Sequence, residues 1–260
     1  MLTGIVAGFG EPIGAERLTA LRAHGFRLIR QDLQTVMGRN PRVDAVISEG
    51  NAWEAAGGKM LYIVDTSTLG MVPDGSWVEY LNEPEYQTPH TYAHGLAVNW
   101  PVACDKGLTL WAGGIGNLDA DSMLWLQRVL AEAPYVTHIS VHRYPPDAAQ
   151  SPDKAHKGMA GREGELRWLR DIIGPRPFVV SEVGYHTAWR RQFWFWRTRL
   201  SAVEQAARLC RELDFWRAEG AEACCLYQEN DGAGAGFLDH YGLKDCQGTW
   251  KTGVNYGDPW

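Results

Sequence analysis

Short apolar runs recur along the chain, separated by longer stretches in which apolar residues return every three or four positions. Eight runs read as strands: "TGIVAGF" (3–9), "FRLIRQD" (26–32), "KMLYIVD" (59–65), "WVEYLNE" (77–83), "LTLWAGG" (108–114), "THISVHRY" (137–144), "PFVVSEV" (177–183) and "EACCLYQ" (222–228). Five stretches between them have helical character. "GAERLTALRAHG" (14–25) spaces Leu18 and Leu21 for one face and ends at Gly25, a C-terminal stop. "RVDAVISEGNAWEAAG" (42–57) is a weaker helix, while "DADSMLWLQRVLAEA" (119–133) sets Met123, Leu126 and Leu130 on one stripe. "EGELRWLRDII" (163–173) and "LSAVEQAARLCRELDFWRAEG" (200–220) complete the set.

Strand–helix alternation of this kind argues for a parallel sheet with helices outside. Eight strands in roughly 230 residues fit one closed (β/α)8 barrel, an α/β TIM-barrel fold. Two units are short. Only "TSTLGMVPDGS" (66–76) joins the third strand to the fourth, barely enough for a parallel crossover. The tail after the eighth strand is Gly-rich without helical periodicity. The third and eighth helices are therefore expected to be reduced or absent. With no long linker, low-complexity tract or internal repeat, residues 1–260 are expected to form a single domain.

Composition adds little to this and removes several classes. Apolar residues make up 45% and charged residues 22%, with a formal net charge of −6. That balance gives no reason to expect a nucleic acid or an anionic membrane as partner. No apolar run is long enough to span a bilayer. The N-terminus "MLTGIVAGFGEP" has no basic leader region, so the expected compartment is the cytoplasm, or the exterior if a leader has been removed. Five cysteines without a C-x-x-C pair suit buried, reduced thiols better than a metal centre, and no metal or other cofactor is expected. Twelve tryptophans exceed the needs of an ordinary core and suit a cleft that stacks flat ligand faces.

In barrels of this kind the site lies at the C-terminal ends of the strands. Those ends carry Arg30 and Asp32 on the second strand, Asp65 on the third and Asn82 and Glu83 on the fourth. The sixth carries His142 and Tyr144, the seventh Glu182 with Tyr185 and His186 beyond it, and the eighth Tyr227, Gln228 and Glu229. Glu83 and Glu182 form the natural pair, because glycoside hydrolysis commonly uses two carboxyl groups flanking the scissile bond. One must be protonated and the other ionised, which different surroundings can arrange. Of the other acids in "VEYLNEPEY", Glu79 lies deeper in its strand and is expected to face a helix or a polar barrel base. Glu85 is expected in a loop at the cleft rim.

"LNEPEY" resembles the strand-four Asn-Glu-Pro motif of the clan A retaining glycoside hydrolases, and "VVSEVGY" is similar to their strand-seven nucleophile segment. "GFRLIRQDL", "SVHRYP" and "YGLKDCQGTWK" resemble the clan's strand-two, strand-six and post-strand-eight segments in the same order. The resemblance implies a carbohydrate substrate, with Glu83 as acid/base and Glu182 as nucleophile. Asn82 would contact the sugar 2-hydroxyl, Arg30 would hold Glu182 ionised, Tyr144 would donate to Glu182, and His142 would lie near Glu83. A monomer is expected. The expected carboxyl separation is about 5 Å, whereas about 9 Å would point to inversion.

The chain departs from the clan at the end of the eighth strand, where many members carry a Trp and "CCLYQEN" offers Tyr227 and Gln228. The insertion "HTAWRRQFWFWRTRL" (186–200) interleaves Trp189 and other aromatic residues with four arginines, a composition able to stack sugars and pair acidic ones. Trp111, Tyr86 and His90 are further cleft candidates. Three other readings compete. A non-catalytic glycan-binding barrel would use the same cleft. A metal-dependent barrel hydrolase would want His-x-His on the first strand, which "IVAGFGEP" lacks, and a phosphate-binding barrel would rest on "DGAGAG" (231–236) alone.

Overall fold

The computed structural model describes residues 1–9, 11–35, 42–145, 156, 161–187, 190–192, 196–198, 200–228, 241–245, 247 and 249–256. Its elements in chain order are β1 (Leu2–Phe9), α1 (Ala15–Ala23), β2 (Leu28–Asp32), α2 (Val43–Ala55), β3 (Lys59–Val64), β4 (Trp77–Tyr80), α3 (Pro89–Asp105), β5 (Thr109–Ile115), α4 (Ala120–Glu132), β6 (His138–Arg143), α5 (Arg162–Ile173), β7 (Phe178–Val183), β8 (Arg190–Gln192), β9 (Trp196–Thr198), α6 (Ala202–Ala218) and β10 (Ala223–Leu226). Eight parallel strands close in the order β1-β10-β7-β6-β5-β4-β3-β2, and β8 and β9 form a separate antiparallel pair. The expected eight strands, their order and the barrel are all present.

Two connections differ from the rest of the ring. A single 3-10 turn, Leu69–Met71, joins β3 to β4, so the third helix is reduced as expected. No helix follows β10 among the described residues. The tail takes over the covering role instead. Leu243 N donates to Gln228 O near the mouth, and at the other end Tyr256 N donates to His24 O. The Trp250 ring lies 3.8 Å from that of His24, and Tyr256 stacks 5.7 Å from Phe26.

Helix α3 has no counterpart among the helices read from the sequence. Pro101 lies inside it, and its apolar positions are mixed with His and Asn. Its start is nevertheless marked: the Thr88 side chain accepts from Thr91 N, and Pro89 follows as the first helical residue, where its missing N–H costs nothing. Helix α6 begins with a reciprocal capping box between Ser201 and Glu204.

Side-chain alternation divides the apolar residues into two cores. Outward-facing residues such as Ile29, Val78, Ile139 and Val180 pack against Leu21, Trp53, Leu126 and Trp216 from the helices. Inward-facing Val6, Leu28, Leu61, Trp111, Val179, Ala223 and Cys225 plug the lower barrel. Trp53, Trp111, Trp125 and Trp216 are all buried, so at least four of the twelve tryptophans serve the core rather than a cleft.

One polar cluster fastens the helices to the barrel. Arg143, on the outward face of β6, donates to Glu165 of α5 at 3.2 Å and to Glu212 of α6 at 2.6 Å. Glu212 also accepts from Tyr185 at 2.6 Å and from Trp216 Nε1 at 3.0 Å. Arg143, Glu165 and Glu212 are fully buried. Arg143→Met would take the shared guanidinium from two buried carboxylates, leaving Glu165 with His156 at 2.9 Å and Glu212 with Arg162 at 3.6 Å, at a cost of about 3–5 kcal/mol. Urea denaturation should show that loss, and an unchanged midpoint would refute the clamp.

Candidate active site

The polar site begins one layer above the apolar plug. Arg30, inward on β2 and 1% exposed, meets Glu79, inward on β4 and 0% exposed. Arg30 Nη2 donates to Glu79 Oε1, and Arg30 Nε contacts Oε2 at 3.4 Å. Ser140 Oγ lies 2.6 Å from Glu79 Oε2 and 2.6 Å from Ser181 Oγ, so β6 and β7 join the same layer. Burial raises the Glu79 carboxyl, but Arg30 and then His142 outweigh it and hold the group below the ordinary carboxylate range. Burial likewise opposes the Arg30 charge, and Glu79 and Glu182 more than offset it.

A glycine on the neighbouring strand makes room for this pair. A methyl group at Gly114 of β5 would lie 2.8 Å from Glu79 Oε1, and its backbone has φ +56, in the left-handed region.

The guanidinium also reaches upward. Nη1 donates to Glu182 Oε1 at 2.5 Å, and Nη2 donates to Asn82 Oδ1 at 2.6 Å and lies 3.3 Å from His142 Nε2. Tyr144 OH donates to Glu182 Oε2. His142 Nδ1 lies 3.2 Å from Glu83 Oε1 and 3.7 Å from Glu182 Oε2. One oxygen of Glu83, one of Glu182 and a His142 nitrogen all fall within 4.8 Å of one another. That spacing is compact enough for a cation. The Arg30 guanidinium and the Tyr144 hydroxyl already bind the oxygens of Glu182, so the donor set fits a charged carboxyl pair served by protein hydrogen bonds.

Local backbone distortions aim both glutamates. Strand β7 slips register against both neighbours: His142 pairs with Glu182 after Val141 pairs with Val180, and Leu226 pairs with Val183 after Cys224 pairs with Val180. The extra residue is Ser181. Simple alternation from inward Val179 would turn Glu182 toward the helices, and the bulge brings it to the mouth beside His142. Strand β4 ends at Tyr80, and Leu81 and Glu83 follow with φ 63 and φ 47. Left-handed backbone at a non-glycine residue costs about 1–3 kcal/mol and has to be held by its surroundings. Leu81 N donates to Val64 O at 2.9 Å and Glu83 N donates to Gly114 O at 3.0 Å.

The Glu83 side chain is 50% exposed and that of Glu182 only 8%. The hydrogen bond from His142 lowers the Glu83 carboxyl against the opposing effect of burial. His142 is raised in turn: burial disfavours its charge, and Glu182 and Glu83 together overcome that.

The residues named from sequence sort as follows. Arg30, Asn82, Glu83, His142, Tyr144 and Glu182 converge. Tyr227 joins them, its ring 5.9 Å from that of Tyr144 and 5.8 Å from that of Tyr241, with burial and then Glu182 pushing its hydroxyl up to about 12. Gln228 is half-buried, and the Tyr227–Gln228 peptide is cis. Trp111 does not join them. It is 0% exposed in the apolar plug, packed on Trp77 and His138 at the strand starts, so no sugar reaches it. Trp189 and Glu229 lie outside the described residues.

The remaining candidates serve other ends. Asp65 turns into its own loop, accepting from Thr35 N at 2.7 Å and Ser67 N at 2.8 Å. Tyr185 belongs to the Arg143 cluster. His90 is exposed and pairs with Glu132 at 2.7 Å. Tyr86 stands 70% exposed just after Glu83. Glu85 accepts from Gly116 N at 2.7 Å and Ser122 Oγ at 3.0 Å, tying the loop after β4 to the loop after β5. Glu79, Ser140 and Ser181 carry the site from below and were not singled out as site residues. Shared parity with Glu83 along "EYLNE" was the available signal for Glu79.

Arg30→Met leaves Glu79 and Glu182 with His142 as their one described basic neighbour, with an expected loss of about 3–5 kcal/mol in urea denaturation. Adding Glu79→Gln should restore part of it. A double variant no more stable than the single one would contradict the shared-cation account.

No family model and no curated protein sequence matches the chain. Solved structures do. A β-1,3-glucanosyltransferase from Rhizomucor miehei, an active-site mutant in complex with laminaritriose, is similar over 100% of this chain and 98% of its own, with TM-score 0.71 and 13% identity. The GH53 catalytic domain of Ignisphaera aggregans is similar over 99% and 95%, with TM-score 0.68 and 10% identity. An endo-β-1,4-glucanase from Xanthomonas axonopodis pv. citri is similar over 96% and 95%, with TM-score 0.60 and 11% identity. At such identities the likeness is one of fold: this chain is a closed (β/α)8 barrel superimposable on theirs over nearly its whole length.

Proposed function

We propose that the protein is a retaining glycoside hydrolase that cleaves β-glycosidic bonds of an oligo- or polysaccharide by double displacement. The observation that carries this is the pair of carboxyl groups from β4 and β7 with oxygens within 4.8 Å of each other. Retaining enzymes hold their pair about 5–5.5 Å apart, and inverting enzymes need about 6.5–9.5 Å to admit a water. The barrel's likeness to enzymes named for β-1,3- and β-1,4-glucans supports a β-linked glycan as substrate.

In this reading Glu182 attacks the anomeric carbon while Glu83 gives its proton to the departing oxygen. The glycosidic C–O bond breaks as the bond from Glu182 to the anomeric carbon forms. Glu83, now ionised, takes a proton from water, and the hydroxide oxygen displaces Glu182 to release the sugar with its original configuration. Arg30 and Tyr144 fix the orientation of Glu182 through both oxygens. Because Arg30 claims Asn82 Oδ1, the Asn82 amide N–H groups are left to donate to a sugar hydroxyl.

His142 governs the proton. The competent form has Glu83 protonated on the oxygen facing substrate, with neutral His142 donating from Nδ1 to Oε1. Moving that proton onto His142 changes no total, so the two groups titrate as one system. Its upper pKa is the raised one of His142, and loss of that proton ends activity at high pH.

On aryl β-glycosides, Glu182→Ala should abolish turnover, and azide should restore it with inverted product. Glu83→Ala should lose about 10²–10⁴-fold. A Glu182→Ala enzyme as active as wild type would end the proposal. In His142→Phe the alkaline limb of the kcat/KM profile should move down toward the carboxyl range, since Glu83 then titrates alone. A limb that stays in place would show that His142 holds no part of the proton.

A further inference from the structure

A third carboxyl group at the mouth is not used by the double displacement. Asp32 ends β2 on the inward parity of Leu28 and Arg30, and pairs in register with Ile63 of β3 and Phe9 of β1. It is 6% exposed. Gln34 N donates to its Oδ1 at 2.8 Å, and among the described residues no hydrogen bond reaches Oδ2. A carboxylate buried to this degree is normally paired or fully hydrogen-bonded. The neighbouring charges acting on it are Arg30, Glu79 and Glu182. Arg30 is committed to its other partners, Glu79, Glu182 and Asn82. Burial accordingly pushes Asp32 up to about 6, with the Gln34 N–H and Arg30 opposing.

Asp65, its counterpart on β3, shows the contrast. That carboxylate also suffers burial, but hydrogen bonds from Ser67 and Thr35 bring it down to about 2. Among the described residues Asp65 receives hydrogen bonds at both oxygens and Asp32 at one. Strand-end position, inward parity, burial and an unfilled acceptor all point to a donor supplied by the substrate.

Resting on the hydrolase reading above, we propose that Asp32 is a sugar-binding residue. Its free oxygen accepts a hydroxyl proton from the sugar bound over Glu182, and its charge makes this mouth select neutral sugars over uronic ones. Asp32, Glu83 and Glu182 bring three carboxyl groups to the mouth above Arg30. The described basic groups among them are Arg30 and His142. A uronic carboxylate would add like charge beside Asp32, whereas a hydroxyl group can donate to its second oxygen.

The test compares wild type, Asp32→Asn and Asp32→Ala on laminarin, β-1,4-galactan and β-1,4-mannan, with β-1,4-glucuronan oligosaccharides as competitors and thermal unfolding alongside. The expected result is turnover of at least one neutral polymer by wild type and a loss of about 10- to 100-fold in kcat/KM in Asp32→Ala. Asp32→Asn should unfold at or above the wild-type midpoint while losing activity, since a merely structural carboxylate would not trade stability for turnover. It should also bind the glucuronan competitor at least tenfold more tightly relative to neutral substrate. Neutral turnover within twofold of wild type in Asp32→Ala would overturn the inference alone, as would strong glucuronan competition in wild type. If Asp32→Ala fails to fold, the competitor ratio in Asp32→Asn decides. No turnover of any polymer or aryl glycoside by wild type would remove the hydrolase reading, and this inference with it.

Discussion

A single guanidinium holds the centre of the barrel together. Arg30 sits where eight inward-facing strands leave no route to solvent, and its charge persists there because two carboxylates share it. An isolated buried charge would cost several kcal/mol, and each member of this group repays the cost of the others. Glu79 takes the lower edge of the fork and Glu182, Asn82 and His142 the upper. The planar, rigid fork matters: a lysine could neutralise the charge but could not fix four partners in one geometry. Strands β2, β4, β6 and β7 are thereby registered at one level by polar contacts, above a plug that is registered only by shape.

The two layers divide the work of the barrel. The apolar plug around Trp111 supplies a dry, low-dielectric floor, which strengthens every charge interaction just above it. The polar layer then spends part of the stability so gained on strained positions: the bulge at Ser181 and the left-handed turns at Leu81 and Glu83. The bulge lies where a regular strand would have aimed Glu182 toward the helices, and the left-handed residues lie where the chain leaves β4 at Glu83. Functional geometry here is a local violation of the period that builds the barrel.

That division explains what could be read from the sequence. The strands were legible because each is a short apolar run between polar breaks, and the site residues because barrels gather ionisable groups at strand ends. Helix α3 was obscured by Pro101 and by polar residues on its buried side, although Thr88–Pro89 marked its start. Trp111 looked like a cleft residue because composition counts tryptophans without saying at which end of a strand they point. Glu79 reads from sequence as facing a helix or a polar barrel base, and its partner is not legible there, since only the closed ring brings residue 30 against residue 79. The inward turn of Glu182 rests on a one-residue bulge, which no alternation pattern announces.

The surroundings of Glu83 and Glu182 also bear on which does what. Glu182 is almost wholly enclosed, with both oxygens claimed by donors from β2 and β6. A carboxylate so held keeps its aim, as a nucleophile requires. Glu83 is half exposed, with one imidazole partner of its own. It can take a proton from solvent, give it up and be recharged through a group that titrates beside it. Reversing the roles would put the proton carrier in the enclosed position and the nucleophile in the half-exposed one. The asymmetry of burial, more than the spacing, is what supports Glu83 as the acid/base and Glu182 as the nucleophile.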